Sequence, residues 1–202
     1  MYNSEEICNA LDINIEEIWN IYPYGSRIYG TNNEHSDYDY IIVYKASLLP
    51  NGSFKNNAIS SEDRKIQGIC YSRGGFIDAI NNYDISALEC ISLDDDMLLK
   101  KKFDFKINRY YEKEMVKKII SKASNSFHIA NEAYCYENYD QAHKGVYHAL
   151  RILEFGQQIK QSQKITDFSV AINLYEKVMS DEDFSVKKYI PNRDELIAKL
   201  RS

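Results

Sequence analysis

The chain has 202 residues, 44% of them apolar and 27% charged, with a formal net charge of −5. That length and balance suit one compact unit or two small ones with a real hydrophobic core. The negative charge excludes a broad electrostatic grip on nucleic acid, although a local basic groove stays open.

Four cysteines, Cys8, Cys70, Cys90 and Cys135, lie far apart with no CxxC pair. Neither a zinc cluster nor a disulfide framework is expected, and a reducing compartment fits. The start, "MYNSEEICNALDI", is polar and acidic, unlike a secretory signal, and no apolar run reaches the roughly 18 residues of a membrane span. The expectation is a cytoplasmic protein with no membrane partner. Tyrosine is frequent, with 17 copies; many can sit half-buried with a wet hydroxyl, so the count alone is no sign of base stacking.

Along the chain, "SEEICNALDINIEEIWNI" predicts one or two short helices before residue 20, with Ser4 as N-cap and Ile7, Leu11, Ile15 and Ile18 at helical spacing. "IYPYGS" reads as a short strand running into a tight turn. "YDYIIVYK" reads as a strand, its Ile41, Ile42 and Val43 β-branched. "LLPNGSFKNNAISSEDR" carries Pro50, Gly52 and several polar residues, and is expected to be a loop that could move. "KIQGICYS" alternates as a third strand, and "GGFIDAINNYDISALECISL" is helical with a break near Asn81 and Asn82. From about residue 109 the apolar positions recur every three or four residues, which predicts two or three helices joined near "YENYD". One helix over "KITDFSVAINLYEKVMS" and a last one over "RDELIAKLRS" follow. The expected architecture is α+β: a core over residues 1–105 with a small mixed sheet, then a helical domain over 106–202 packed against it.

The stretch "GSRIYGTNNEHSDYDYIIV" carries the chemistry. Two carboxylates held close together can bind the divalent cations that phosphoryl transfer needs. In an extended segment, side chains two apart share a face, so Asp37 and Asp39 present both carboxylates together. Gly25 and Ser26, in a turn after a strand, allow close backbone approach and offer a hydroxyl to phosphate oxygens, with Arg27 as a nearby cation. A Gly-Ser turn or an Asp-x-Asp pair alone occurs on many surfaces by chance; the two together, with an apolar strand following, are specific.

These residues resemble the signature of the DNA polymerase β-like nucleotidyltransferase superfamily, in the form found in its small bacterial, phage and viral members. The resemblance implies that Gly25 and Ser26 hold nucleotide phosphates and that Asp37 and Asp39 hold two Mg²⁺ (or Mn²⁺) ions. Arg27, Gly30 and Ser36 would shape the loop between them. It also implies a third acidic residue on a later strand, and the position expected for it, nine residues before Phe76, is Gln67. An amide carries no charge and cannot act as a general base. Glu62, Asp63 and Asp78 are the nearest substitutes, none in the right alternation. Glu89, in the segment resembling the family's Leu-Glu helix, is either a structural anchor or a contributor to the site.

In the helical half, Lys144, His148 and Arg151 lie within about 60° of one another on a helix. That face is either solvated or borders the cleft. A similar Lys…His…Arg helix accompanies the signature in the small family, which implies nucleotide contacts for all three; His148 is also a candidate base. His128 reads as an interface or core histidine. No G-x-S-x-G elbow, HExxH pair or P-loop lysine motif is present, and nothing marks the Cys70 thiolate as activated.

The expected function is transfer of a nucleoside monophosphate from a triphosphate to a hydroxyl of a protein, an RNA end or a small molecule. The alternative is a nucleotide- and metal-binding module of the same fold without turnover, acting as a sensor or complex partner. The Asn-, Ile-, Lys- and Tyr-rich usage suits an AT-rich, viral or phage-like genome.

Overall fold

The computed structural model describes residues 2–53 and 57–202. Its class is the expected α+β: a five-stranded mixed sheet with flanking helices, then a helical C-terminal region. By contact the chain divides into two compact units, Met1–Asn108 and Arg109–Ser202.

In the first unit, helix α1 (Ser4–Ala10) is followed by a 3-10 turn (Ile15–Glu17), β1 (Ile18–Tyr24), the one-turn helix α2 (Ser26–Tyr29), β2 (Tyr38–Tyr44), β3 (Asn57–Ser60) and β4 (Ile66–Tyr71). Helices α3 (Arg73–Asn81) and α4 (Ile85–Ser92), a second 3-10 turn (Asp95–Met97) and β5 (Lys100–Lys101) complete it. The strand order is β3-β4-β2-β1-β5, with β2 and β4 parallel and the other pairs antiparallel. The β4–β2 pairing therefore needs a crossover, whereas β1 returns directly into β2.

Both faces of the sheet are covered, which is why β2 reads as a run of apolar residues rather than a strict alternation. On one face Ile7 and Cys8 of α1 and Leu11, which caps its end, pack on Ile18, Ile21, Tyr40, Ile42, Tyr44 and Cys70. A bulge leaves Trp19 outside the β1–β2 pairing, between Ile18 opposite Tyr44 and Asn20 opposite Val43. The inserted residue turns both Ile18 and Ile21 into that core. On the other face Phe76 of α3 packs against the rings of Tyr22, Tyr71 and Phe105, with centroids 5.7, 5.4 and 5.0 Å away. Each such side chain removed from water contributes about 1.5–3 kcal/mol.

Three expectations are corrected. The N-cap of α1 is Asn3, not Ser4: Asn3 Oδ1 accepts from the Glu5 and Glu6 backbone, and Glu6 accepts from the Asn3 N–H at 2.8 Å. A reciprocal capping box outranks a lone serine. The segment read as a loop contains β3, whose alternating half-buried and exposed residues pair antiparallel with β4; residues 54–56 of that segment lie outside the described residues. The helix expected from Lys164 begins only at Ile172, because Gln158 Oε1 accepts from the Thr166 and Asp167 backbone and holds that stretch in a turn.

The second unit contains α5 (Glu112–Cys135), α6 (Tyr139–Ser162), α7 (Ile172–Met179), a 3-10 turn (Val186–Tyr189) and α8 (Ile190–Arg201). Helices α5 and α6 form an antiparallel hairpin, closed by Glu137 at φ 59° and by Asn138, whose side chain caps α6. Gly145 lies against Ala130 and Gly156 against Ile119, so the two helices meet where α6 has no side chain.

Candidate functional site

Strand pairing gathers the predicted residues of the first unit at one end of the sheet. Asp39, at the start of β2, lies opposite Tyr24 on one side and opposite Gln67 of β4 on the other. Gly25 follows Tyr24 directly. Gly25 adopts φ 80° and ψ −157°, a region that only glycine occupies readily. A Cβ built there would meet Asp39 Oδ2 at 2.3 Å, so the Asp39 carboxylate packs against the bare Cα of Gly25. The glycine of the Gly-Ser turn thus makes room for a carboxylate.

Asp39 is half-buried, and its pKa is raised, first by burial and then by the Asp37 charge, with Arg27 opposing. That mutual repulsion marks Asp37 and Asp39 as neighbours. Asp37 is exposed, and its Oδ2 accepts from Gln67 Nε2 at 2.8 Å. Carboxylates are the donor type that hard divalent cations take.

Ser26 begins α2, its backbone carbonyl accepting from Gly30 and Thr31, and Gly30 closes that turn at φ 73°. Arg27 is engaged with the loop: Nη2 donates to Ser36 O at 2.7 Å, Nε donates to Asp37 O at 3.2 Å, and the guanidinium lies 3.7 Å from the Tyr38 ring centroid. Ser36 Oγ accepts from the Asn33 N–H. The sequence reading missed Tyr38 as the platform for Arg27; no spacing rule foretells it, because the stack forms across the loop.

The proposed substitutes for a third carboxylate do not join the pair. Asp63 accepts from Ser61 Oγ at 2.7 Å and from the Lys65 N–H at 3.0 Å, closing its own turn. Asp78 belongs to α3. Among the described residues no three His, Cys, Asp or Glu side chains gather as a metal site. Glu89, 2% exposed on α4, accepts from Tyr29 Oη at 2.5 Å, which ties α4 to the turn after Gly25. The anchor role is the one these contacts favour. Tyr24 Oη and Ser86 Oγ, 2.9 Å apart, add a second tie.

The remaining predicted residues belong to the second unit. Lys144 pairs with Asp140 at 2.8 Å on an exposed face of α6. Arg151 is 4% exposed, so this part of the helix is not a solvated face. Its Nη2 lies 3.1 Å from His148 Nδ1. Burial, then Arg151 and Lys122, lower the His148 pKa to about 3, so its imidazole is neutral at ordinary pH. His128 is largely exposed on α5, 3.5 Å from Glu132, so the core reading is corrected. Cys70 is buried and its thiol is pushed up to about 12, which leaves it inert.

No helix among the described residues is long and apolar enough to cross a membrane. No protein-family model matches the chain, and no curated protein sequence matches it. Among solved structures, a nucleotidyltransferase-like protein from Exiguobacterium sibiricum aligns with 98% of this chain and 70% of its own, at 14% identity and a TM-score of 0.34. What the chain's own geometry establishes is an α+β fold with Gly25, Asp37, Asp39 and Gln67 brought together at one end of a five-stranded sheet.

Proposed function

We propose that the chain binds a nucleoside triphosphate with Mg²⁺ or Mn²⁺ at this end of the sheet and transfers its nucleoside monophosphate to an acceptor hydroxyl. The observation that carries the reading is the packing of the Asp39 carboxylate on Gly25, beside Asp37 and next to the Ser26 turn. Asp37 and Asp39 would hold the cation, which supplies charge neutralisation for a polyphosphate. Ser26 Oγ and the turn backbone would contact phosphate oxygens. In the reaction the acceptor hydroxyl gives up its proton to solvent, its oxygen bonds to the α-phosphorus, the bond from that phosphorus to the bridging oxygen breaks, and pyrophosphate leaves. Such chemistry asks the protein mainly for positioning and electrostatic stabilisation. The acceptor class stays as a protein, an RNA end or a small molecule.

Gln67 favours a second reading, in which nucleotide and metal bind without transfer. Incubation with α-labelled triphosphates, Mg²⁺ or Mn²⁺ and candidate acceptors separates the two. Labelled product that is lost in both Asp37→Asn and Asp39→Asn supports transfer. Saturable binding with no product supports the module. No binding of any triphosphate under either metal defeats both.

A further inference from the structure

The carboxylate pair carries a charge of −2, which one divalent cation neutralises. A second divalent ion held nearby would call for another anionic donor from the protein. The parallel pairing of β2 with β4 puts Gln67 directly opposite Asp39, the neighbouring place from which such a donor would come. Gln67 is exposed, and its Nε2 donates to Asp37 Oδ2 at 2.8 Å. An amide N–H is a donor only, so it covers one side of that oxygen with a positive dipole end, and the amide nitrogen itself has no lone pair to give a metal. Turned over, the amide would offer a carbonyl oxygen but still no charge. The Arg27 guanidinium is committed to Ser36 O, Asp37 O and the Tyr38 ring. Among the described residues no third acidic or imidazole group completes a cluster.

We infer that Gln67 limits this site to a single divalent cation, and that it is the residue deciding between one-cation and two-cation occupancy. The inference rests on the metal–nucleotide reading above and departs from the two ions that the sequence resemblance implies. Its consequence is a site that grips a triphosphate through one shared ion and lacks a second to lower the proton affinity of an acceptor hydroxyl.

Manganese serves as the probe. Wild type, Gln67→Asp and the isosteric Gln67→Glu are loaded with Mn²⁺ and a non-hydrolysable ATP analogue, then counted by equilibrium dialysis and read by electron paramagnetic resonance. Two ions within about 4 Å of one another give a spin-coupled spectrum, and an isolated ion does not. The expected result is an isolated ion in the wild type and a coupled pair in one or both variants, with circular dichroism melts confirming that the exposed substitution leaves the fold intact. A coupled pair in the wild type overturns the inference and leaves the nucleotide reading standing. Isolated ions in all three proteins also overturn it, because Gln67 would then not be the determinant. No Mn²⁺ bound to the wild type removes the metal–nucleotide reading itself, and the inference with it.

Discussion

At the scale of single residues, Asp39 trades stability for a charged group held in place. Its folded pKa is raised, so between the unfolded and folded values the folded state holds more protons than the unfolded one. Stability from this group is therefore greatest below that window and falls as pH rises through it. Asp39→Asn removes the cost, and the metal-free variant is expected to melt above wild type at pH 7. The same variant should lose nucleotide–Mn²⁺ binding, so a thermal scan with and without ligand reads both effects. His148 has the opposite sign. Its folded pKa lies near 3, below the ordinary histidine value, so the stability it contributes is full above the unfolded pKa and is lost as pH falls. Its ring protons should show no titration in NMR between pH 8 and about 5, where an ordinary histidine is half-protonated near 6.5. Gly25→Ala would strain the backbone by about 1–3 kcal/mol and force the Asp39 carboxylate away. Urea denaturation and Mn²⁺ binding should both worsen, whereas Gly52→Ala, at φ 77° with open space around it, should share the backbone strain alone.

At the scale of elements, the α5–α6 hairpin sets two rules against each other. Alanine for glycine inside a helix usually stabilises by about 1 kcal/mol. At Gly145 the new Cβ would meet Ala130 Cβ at 2.8 Å, and at Gly156 it would meet Ile119 Cγ2 at 2.6 Å. Overpacking of that kind costs about 1–3 kcal/mol, so both variants are expected to lower the denaturation midpoint. Opposite-sign results would mean that the helices separate easily. The edge strand β5 pairs with β1 through its backbone and is held at its far end by one buried side chain. Asn20 is fully buried, and its Oδ1 accepts from the Lys102 and Phe103 backbone while Nδ2 donates to Phe103 O and Tyr22 Oη. Asn20→Ala takes a partner from Tyr22 Oη and from the Phe103 backbone, while the Lys102 N–H keeps Trp19 O at 3.0 Å, and should cost about 1–3 kcal/mol. Amide hydrogen exchange should rise first at Phe103.

At the scale of the whole molecule, ligand binding and folding are linked: a ligand that binds only the folded state adds about 2.7 kcal/mol at a hundred times its dissociation constant. A triphosphate with Mn²⁺ should raise the melting temperature of the wild type, and Asp37→Asn should abolish the rise. The Gly25-Ser26 turn and the Asp37 and Asp39 carboxylates were legible in the sequence from local spacing, although Asp37 itself precedes β2. The α+β class and most helices were legible for a similar reason, since periodicity reports which side of an element is buried. The β3 strand was not, because polar, short edge strands gain their order from the neighbour they pair with. Nor was the burial of Arg151, since charge in a sequence says nothing about what covers it. The sequence by itself determined the local elements and the chemical groups available, through periodicity, turn chemistry and spacing. Only the tertiary structure decided that Gln67 stands beside Asp39 and bonds Asp37, because strand register between β2 and β4 is a long-range pairing that no local pattern encodes.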